Sequence, residues 1–446
     1  MTRSGKREQG TETRREAVRT GRTGLGRSGT GRTGIGRSGI RWGAAALAAL
    51  GVAAGTLAGA SGAAADGGLP LENVEQLAQG VQYGQFTVAA GQGTVHGHLL
   101  SVDLRDPHVR VDLLTPGAVG ARGQVSALAD ARHAIGAVNG DFFDIDESQH
   151  PGVDPTGSSD GPEIGSGRDL KAAVPDAQRF GPAMPPGETT HDVLGVGVDR
   201  RARLDRLDLA GQVRTAQGTY QLGGYNQYAL PQGGIGAYTA GWGTVSRRRA
   251  VCGSDTSRAA GCSTDTYEVA VRHGRVASVA DAPGSGSIAP DTTVLLGRDA
   301  GADTLRTLHL GDRVRITAHL APTATHVPYT FAVGGFPILR DGQPLAGLDA
   351  KVAATRTAAG FGDGGRTLYL MALDGSAESG AGLTIAELSA VMRELGADDA
   401  VNLDGGGSTT LVTRGPADPA SVVRNHPTGG AERAVANAVG VFSTAP

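Results

Sequence analysis

The run Asn402-Leu403-Asp404-Gly405-Gly406-Gly407-Ser408-Thr409 sets an amide and a carboxylate at the end of a strand-like segment, followed by three glycines and two hydroxyls. Strand side chains alternate faces, so Asn402 and Asp404 point the same way. Glycines let a ligand approach the backbone and leave N–H groups free to meet an anion, and Ser408 and Thr409 add hydroxyl donors. A tight turn with a turn-forming Asp is the structural alternative. Three glycines between two convincing strands exceed what a hairpin requires. The pattern Ala-Val-Asn-x-Asp recurs at Ala137–Asp141, so Asn139 and Asp141 offer a second amide and carboxylate on one face. The echo raises the idea of two equivalent helix-to-strand units. By itself the run shows an anion-tolerant turn beside a carboxylate and an amide.

The elements that must position these groups are mostly short and β-like. Alternating runs begin at Phe86-Thr-Val-Ala and continue through Val95–Asp103 and Val109–Leu114, before a helix-like stretch near Val125–Ile135. Residues 145–190, rich in Gly, Pro, Asp and Ser, read as a long irregular loop, and such loops inside a domain are usually functional or mobile. From 193 to 320 come more short strands, with Val314-Arg-Ile-Thr-Ala a clear case. A strand near Phe331 and a turn at Asp341-Gly342 follow, then a hairpin with arms Val352–Ala358 and Thr367–Leu373, joined through Gly362–Gly365. The spacing Thr384-x-x-Glu387 predicts a capping box. Ile385, Leu388, Val391, Met392 and Leu395 form one apolar helical face that Gly396 ends. The fold class expected is α+β, with mixed β-sheets, helices packed on them, and a β-rich insertion or subdomain around 195–320.

The chain is 446 residues long, 39% hydrophobic and 19% charged, enough for a large core. Residues 1–41 carry eleven Lys or Arg against three Glu and hold a near-duplicate at Gly21–Gly29 and Gly31–Gly39. Trp42–Ala65 is small, apolar and uncharged, ending in Ala63-Ala64-Ala65, so 1–65 reads as a basic leader and signal peptide, 66–81 as a linker, and 82–446 as the working domain. A retained membrane anchor is the rival, since the run approaches the ~20 residues of a spanning helix; its Ala/Gly content favours export with cleavage and no stable membrane partner. Removing the leader's +8 from a total of −3 leaves an acidic remainder of −11, which takes away the electrostatic basis for nucleic-acid binding. In an exported protein the only cysteines, Cys252 and Cys262, have the spacing of a disulfide clipping a loop.

Several segments together resemble the phosphodiester glycosidase family, of the N-acetylglucosamine-1-phosphodiester α-N-acetylglucosaminidase type. They are Ala137-Val-Asn-Gly-Asp-Phe-Phe143, Gly334-Gly-Phe-Pro-Ile338, Arg356-Thr-Ala, Leu373-Asp-Gly, Gly382-Leu-Thr-Ile-Ala-Glu-Leu388, Val401–Ser408 and Arg433-Ala-Val-Ala-Asn437, and the resemblance covers about residues 82–443. It implies cleavage of a glycosidic bond to phosphate, a good leaving group that needs less acid assistance than an ordinary glycoside. On that reading Asp404 and Asp141 are the reacting carboxylates, one as nucleophile or base and the other as acid or orienting group. Arg356 holds the phosphate through its planar guanidinium. Gly405, Gly406 and Gly407 supply N–H groups, and Asn402, Asn139, Ser408, Thr409, Asp374 and Asn437 orient a carbohydrate phosphodiester. Arg433 is promoted by the family pattern alone.

Other motifs carry less. Both leader repeats match Gly-x-Gly-x-x-Gly without a preceding strand or a following helix. Gly157-Ser-Ser-Asp-Gly161 matches a serine-hydrolase elbow but sits in the irregular loop. Glu387 is explained by its cap. His96 and His98 share a strand face without a third metal ligand. Asp141, Asp144 and Asp146 resemble a partial calcium loop without its Gly or terminal Glu, which leaves room for an oxygen-liganded divalent cation such as calcium; the sequence does not give whether a cation is needed. The rival functions are a non-catalytic carbohydrate-binding or envelope protein, and a metal-dependent phosphoesterase that would leave phosphate on the sugar and stop in chelator. Oligomeric state is not legible.

Overall fold

Period-two burial builds the central sheet. In the Gly93–Asp103, Thr367–Leu373 and Asp399–Leu403 strands, Leu99, Met371 and Ala400 face one side while Leu100, Leu370 and Val401 face the other, and all are buried. The computed structural model describes residues 68–375, 381–416 and 418–444. The basic leader, the apolar run and its cleavage site lie outside the described residues. Eight antiparallel strands run in the order Glu72–Ala78, Val81–Ala90, Gly93–Asp103, Thr367–Leu373, Thr357–Gly362, Asp399–Leu403, Phe336–Arg340 and Gln343–Pro344. One face packs on helix Ile385–Glu394 through Ile385, Leu388, Val391 and Met392. The other shares a core with the five-stranded sheet that holds Gly136–Asn139, Leu411–Thr413 and Ala438–Ser443, and with Asp192–Gly197 and Tyr329–Gly334 of a third sheet.

The expected α+β class is corrected to a mainly β architecture. Among the described residues only Val125–Arg132, Ala300–Arg306 and Ile385–Glu394 are α-helical, and none exceeds ten residues. Gly 72 in the composition explains much of this, because each glycine inside a helix costs about 1 kcal/mol relative to alanine. The stretch 66–81 carries the Glu72–Ala78 strand in place of a linker, and the 145–190 stretch hides two short strands, Glu163–Gly165 and Arg168–Lys171. The first arm of the hairpin is Thr357–Gly362, displaced toward its turn from 352–358, and Val352 is exposed. The helix cap is as the spacing predicts: Thr384 Oγ1 accepts from Glu387 N–H, and Glu387 Oε2 accepts from Thr384 N–H at 2.8 Å. No helix among the described residues is long and apolar enough to cross a membrane.

Within 195–320 a further five-stranded sheet forms from Gly224–Tyr225, Ile235–Tyr238, Thr292–Arg298, Thr266–Arg272 and Arg275–Ala280, around its own core of Ile235, Val269, Val271 and Leu295. Cys252 and Cys262 are joined in a disulfide beside it. The closed loop is tied inward by its carbonyls: Ser254 accepts from Gln178 Nε2 at 2.6 Å, Gly253 from Arg298 Nη2 at 3.1 Å, and Ala260 from His150 Nε2 at 3.0 Å. Opening a loop of this size removes about 3 kcal/mol of unfolded-state restriction. The paired substitution Cys252→Ser/Cys262→Ser is therefore expected to lower the unfolding free energy by about 3 kcal/mol, read as a lower denaturant midpoint in equilibrium unfolding. An unchanged midpoint would show that the inward ties alone hold the loop.

Candidate active site

Two strand ends from different sheets meet at the carboxylates. The Asp404 N–H donates to the Gly140 carbonyl at 3.0 Å, and Asn139 Nδ2 donates to the Asp404 carbonyl at 2.6 Å. Asn139 Oδ1 accepts from Thr357 Oγ1 at 2.8 Å and from the Thr410 N–H at 3.0 Å. Both polar atoms of the Asn139 amide are thus bonded to protein, bracketing the two sheets. Asn402 is the opposite case. It is 0% exposed, and neither its Oδ1 nor its Nδ2 has a hydrogen-bond partner. A buried amide without partners is costly, by about 1–3 kcal/mol per group, which marks a place for a ligand or water to bond.

Asp404 is partly exposed and sits at the mouth of the glycine run. Burial pushes its carboxyl up to about 7, against the opposing pull of the Ser408 hydroxyl, the Arg433 charge and the Gly405 N–H, which donates to Oδ1 at 3.0 Å. Each glycine has a distinct reason. A side chain at Gly405 would stand 2.6 Å from the Thr355 carbonyl, Gly406 holds φ +57, and a side chain at Gly407 would run into the Arg433 guanidinium. The run offers fewer free donors than its composition suggests, since Gly405 N–H serves Asp404 and Gly406 N–H donates to Thr355 O at 2.8 Å. Arg433 is exposed, lies over Gly407, and donates through Nη1 to Ser408 Oγ at 3.4 Å. Ser408 and Thr409 are both buried, and the Thr409 and Thr357 hydroxyls meet at 3.2 Å.

Asp141 is buried and accepts from Phe142 N–H at 2.8 Å and from Gly161 N–H at 2.6 Å. Burial, reinforced by the neighbouring Asp160 carboxylate, pushes it up to about 8 although both N–H bonds favour its charged form. Asn437 links it to a further acid: its Oδ1 accepts the Asp141 N–H at 3.0 Å and its Nδ2 donates to Glu163 Oε1 at 2.8 Å. Arg356 is buried and makes two bonds to carbonyls, Nε to Leu383 at 2.9 Å and Nη2 to Val352 at 2.8 Å. Its backbone adjoins Gly405, and no carboxylate pairs with it within 4 Å among the described residues. Asp374 sits in a histidine cluster. Its Oδ1 meets His98 Nε2 at 3.0 Å, His426 N–H at 2.8 Å and His426 Nδ1 at 3.3 Å, and Tyr83 Oη contacts His98 Nδ1 at 2.7 Å. Burial would raise Asp374, but the His98 and His426 bonds and charges outweigh it and hold the carboxyl below its usual range.

His96 pairs with Thr87 Oγ1 at 3.1 Å, and Glu387 takes up the helix cap and the Gly91 N–H. Asp144 accepts from Thr156 N–H and Oγ1, both at 2.7 Å, and Asp146 from Ser148 Oγ at 2.8 Å. Among the described residues no three His, Cys, Asp or Glu side chains gather as metal ligands. Four charged residues of the site went unread in the sequence: Asp160, Glu163, Lys171 and Arg179, all in the supposed loop. The available signal was the presence of Asp160-Gly-Pro-Glu163-Ile in a glycine-rich stretch too long to be a mere connection.

Residues 265–442 match the model of the phosphodiester glycosidase family, in agreement with the resemblance read from the motifs. Asp404 and Arg356 fall inside the match, and Asp141 falls before it. On this match residues 265–442 are similar to a glycosidase-type hydrolase domain. No curated protein matches the sequence. Three solved structures are similar. A Synechocystis protein is 19% identical at a TM-score of 0.64, over 84% of this chain and 64% of its own length. A Burkholderia pseudomallei protein described as exported is 23% identical at 0.59, over 78% of this chain and 74% of its own. The zebrafish N-acetylglucosamine-1-phosphodiester α-N-acetylglucosaminidase catalytic domain, auto-inhibited by its pro-peptide, is 15% identical at 0.41, over 83% and 85%. The first two show a shared fold, and this chain spans about 64% of the length of the Synechocystis protein.

Gly334 is where the third sheet touches the site. A side chain there would lie 2.7 Å from the Gly161 Cα and closer still to the Asp141 carboxylate. Gly334→Ala is expected to cost about 1–3 kcal/mol of stability as the neighbours give way, and to lower kcat more than it raises KM because Asp141 is displaced. A lowered melting temperature with an unchanged kcat for this variant would remove Asp141 from the working centre.

Proposed function

Taking the family match over residues 265–442 as premise, we propose that the protein is an exported hydrolase that cleaves the glycosidic bond of a sugar-1-phosphodiester, of the N-acetylglucosamine type or a related glycan phosphodiester. The observation that carries this reading is the placing of the Asp404 carboxyl at the mouth of a glycine loop, flanked by the Ser408 hydroxyl and the Arg433 guanidinium, where burial pushes it up to about 7. Above that pH its anion faces the anomeric carbon as nucleophile or base, and a phosphate leaving group departs without needing strong protonation. Asp141, held to about 8, keeps its proton longer and acts as acid or orienting group. Arg433 supplies positive charge at the loop for the phosphate, a planar guanidinium being suited to a bidentate oxyanion contact, whereas Arg356 spends its guanidinium on the Leu383 and Val352 carbonyls. The unpartnered Asn402 amide and Ser408 are available to orient the sugar. The basic leader, the apolar run with its small-residue end and the Cys252–Cys262 disulfide support export, as does the likeness to a protein described as exported.

Purified protein incubated with an N-acetylglucosamine-1-phosphodiester is expected to release free sugar, and Asp404→Asn to reduce kcat by at least ~1,000-fold. Near-normal turnover by that variant would overturn the scheme. The pH profile of kcat/KM should be bell-shaped, rising through about 7 as Asp404 ionises and falling through about 8 as Asp141 does. A flat profile from pH 6 to pH 9 counts against both assignments.

Stability gives an independent check. The folded state holds the Asp404 proton more tightly than an unfolded chain does, so its contribution is complete below the ordinary carboxylate range and fades as pH rises through about 7. Asp404→Asn should therefore melt at a higher temperature than the wild type at pH 8, with the gap closing toward pH 4. A gap independent of pH would show that Asp404 is not held protonated by the fold.

A further inference from the structure

The strand Arg315–Pro322 pairs with Ala202–Arg214, and period-two alternation turns Arg315, Thr317 and His319 of the first to solvent, with Arg313 leading into it on the same side. The register sets Arg315 directly opposite Arg214, Thr317 opposite Gln212, and His319 opposite Ala210. A second like-charged pair follows, where Arg313 bridges antiparallel to Arg275. The four arginines line one open recess of about 650 Å³, and Gln212, Gln221, Thr317 and His319 line another of about 540 Å³. Gln212, Arg214, Arg315 and Thr317 line the space that joins them into one groove.

Like charges directly opposite each other on paired strands are destabilising, and a carboxylate between them is the usual relief. None is placed here. Arg275 Nη1 donates to the Gly311 carbonyl at 2.8 Å, and no carboxylate among the described residues comes within 4 Å of Arg214, Arg275, Arg313 or Arg315. Asp291, which meets His273 at the margin at 3.2 Å, is shared with Arg272 at 2.8 Å. Arginines elsewhere on the Ala202–Arg214 strand are paired: Arg203 with Asp199, and Arg206 with Asp192 at 2.9 Å. Four uncompensated guanidiniums in a chain that is acidic beyond its leader are matched by an anion that brings several charges of its own.

A single phosphate would occupy one arginine pair. From residue 313 to residue 319 the chain advances about 20 Å, so the groove takes several units of a polymer. The Gln212 and Gln221 amides and the Thr317 hydroxyl offer donors and acceptors to sugar hydroxyls. No aromatic ring lines any part of the groove, so the stacking platforms of single-stranded nucleic acid binding are missing.

We propose that this groove binds a linear glycan polymer with phosphodiesters along its backbone, the arginines taking phosphates and the amides taking sugar hydroxyls. The choice of polymer rests on the hydrolase reading above and makes the substrate a poly(sugar 1-phosphate) chain. None of the reacting residues lines the groove, so it holds the polymer and does not supply the attacking group.

End-labelled poly(N-acetylglucosamine 1-phosphate) titrated into the full chain, with fluorescence polarisation read before measurable sugar release, tests this. The wild type should bind the polymer with an affinity that falls as salt is added. Arg214→Gln/Arg315→Gln should weaken binding at least tenfold. Arg315→Glu should do the same while raising the melting temperature, because it turns a like-charged cross-strand pair into an opposite one. A higher melting temperature with unchanged binding would make the arginine pair a structural accident. Absence of binding by the wild type, or equal binding by the variants, also overturns the proposal. Tighter binding of a single-stranded oligonucleotide, lost in the same variants, would put a nucleic acid in place of the glycan polymer and overturn it as well. Turnover of a monomeric N-acetylglucosamine-1-phosphodiester is measured separately and should keep its kcat and KM in both variants. Polymer binding through the arginines without sugar release from either substrate would remove the hydrolase reading and keep the groove. Sugar release with an unchanged KM for the polymer in both variants would do the reverse.

Discussion

The Asn139 side chain holds the site together. Both polar atoms of its amide bond to protein, to the Asp404 carbonyl, the Thr357 hydroxyl and the Thr410 N–H, while the neighbouring Gly140 carbonyl takes the Asp404 N–H. These bonds fasten the end of a strand in the five-stranded sheet to the end of one in the eight-stranded sheet. Without them Asp141 and Asp404 would belong to two sheets free to slide on an apolar interface. Hydrophobic contact is nondirectional and cannot fix a carboxylate to within an ångström, whereas a fully satisfied buried amide can.

The two carboxylates so fixed meet different surroundings. Asp141 is enclosed, receives N–H bonds at both oxygens, and touches a second acid through Asn437. Asp404 opens to solvent beside a hydroxyl and an exposed arginine. Environments that push two acids to different pH ranges are how a carboxylate pair divides its roles. The glycine run serves this division mainly by absence of side chains: it admits the Thr355 carbonyl on one side and the Arg433 guanidinium on the other.

How much of this was legible depended on range. The helix Ile385–Glu394 with its Thr384/Glu387 cap and the second hairpin arm Thr367–Leu373 follow from local spacing, and the structure has them at those residues. The pairing of Asn139-Gly-Asp141 with Asn402-Leu-Asp404 was visible as an echo, but the differing fates of the two asparagines were not. One is bonded at every atom that Thr357, Thr410 and Asp404 can reach, and the other at none, and only the packing of distant strands decides that. The helical content was overread because weakly apolar, glycine-rich segments support strands and turns that have no local signature. Arg179 and Asp160 were missed for the same reason: a loop's residues acquire roles from the elements they fold against.

The central claim is that bond cleavage occurs on the carbon side of the phosphodiester, at the centre faced by Asp404. Hydrolysis in oxygen-18 water tests this most directly, with the mass of the phosphate-bearing product as the readout. Attack at the anomeric carbon predicts an unlabelled phosphomonoester together with free sugar. Oxygen-18 in the phosphomonoester, or phosphate left on the sugar, would place the attack on phosphorus and contradict the role given to Asp404.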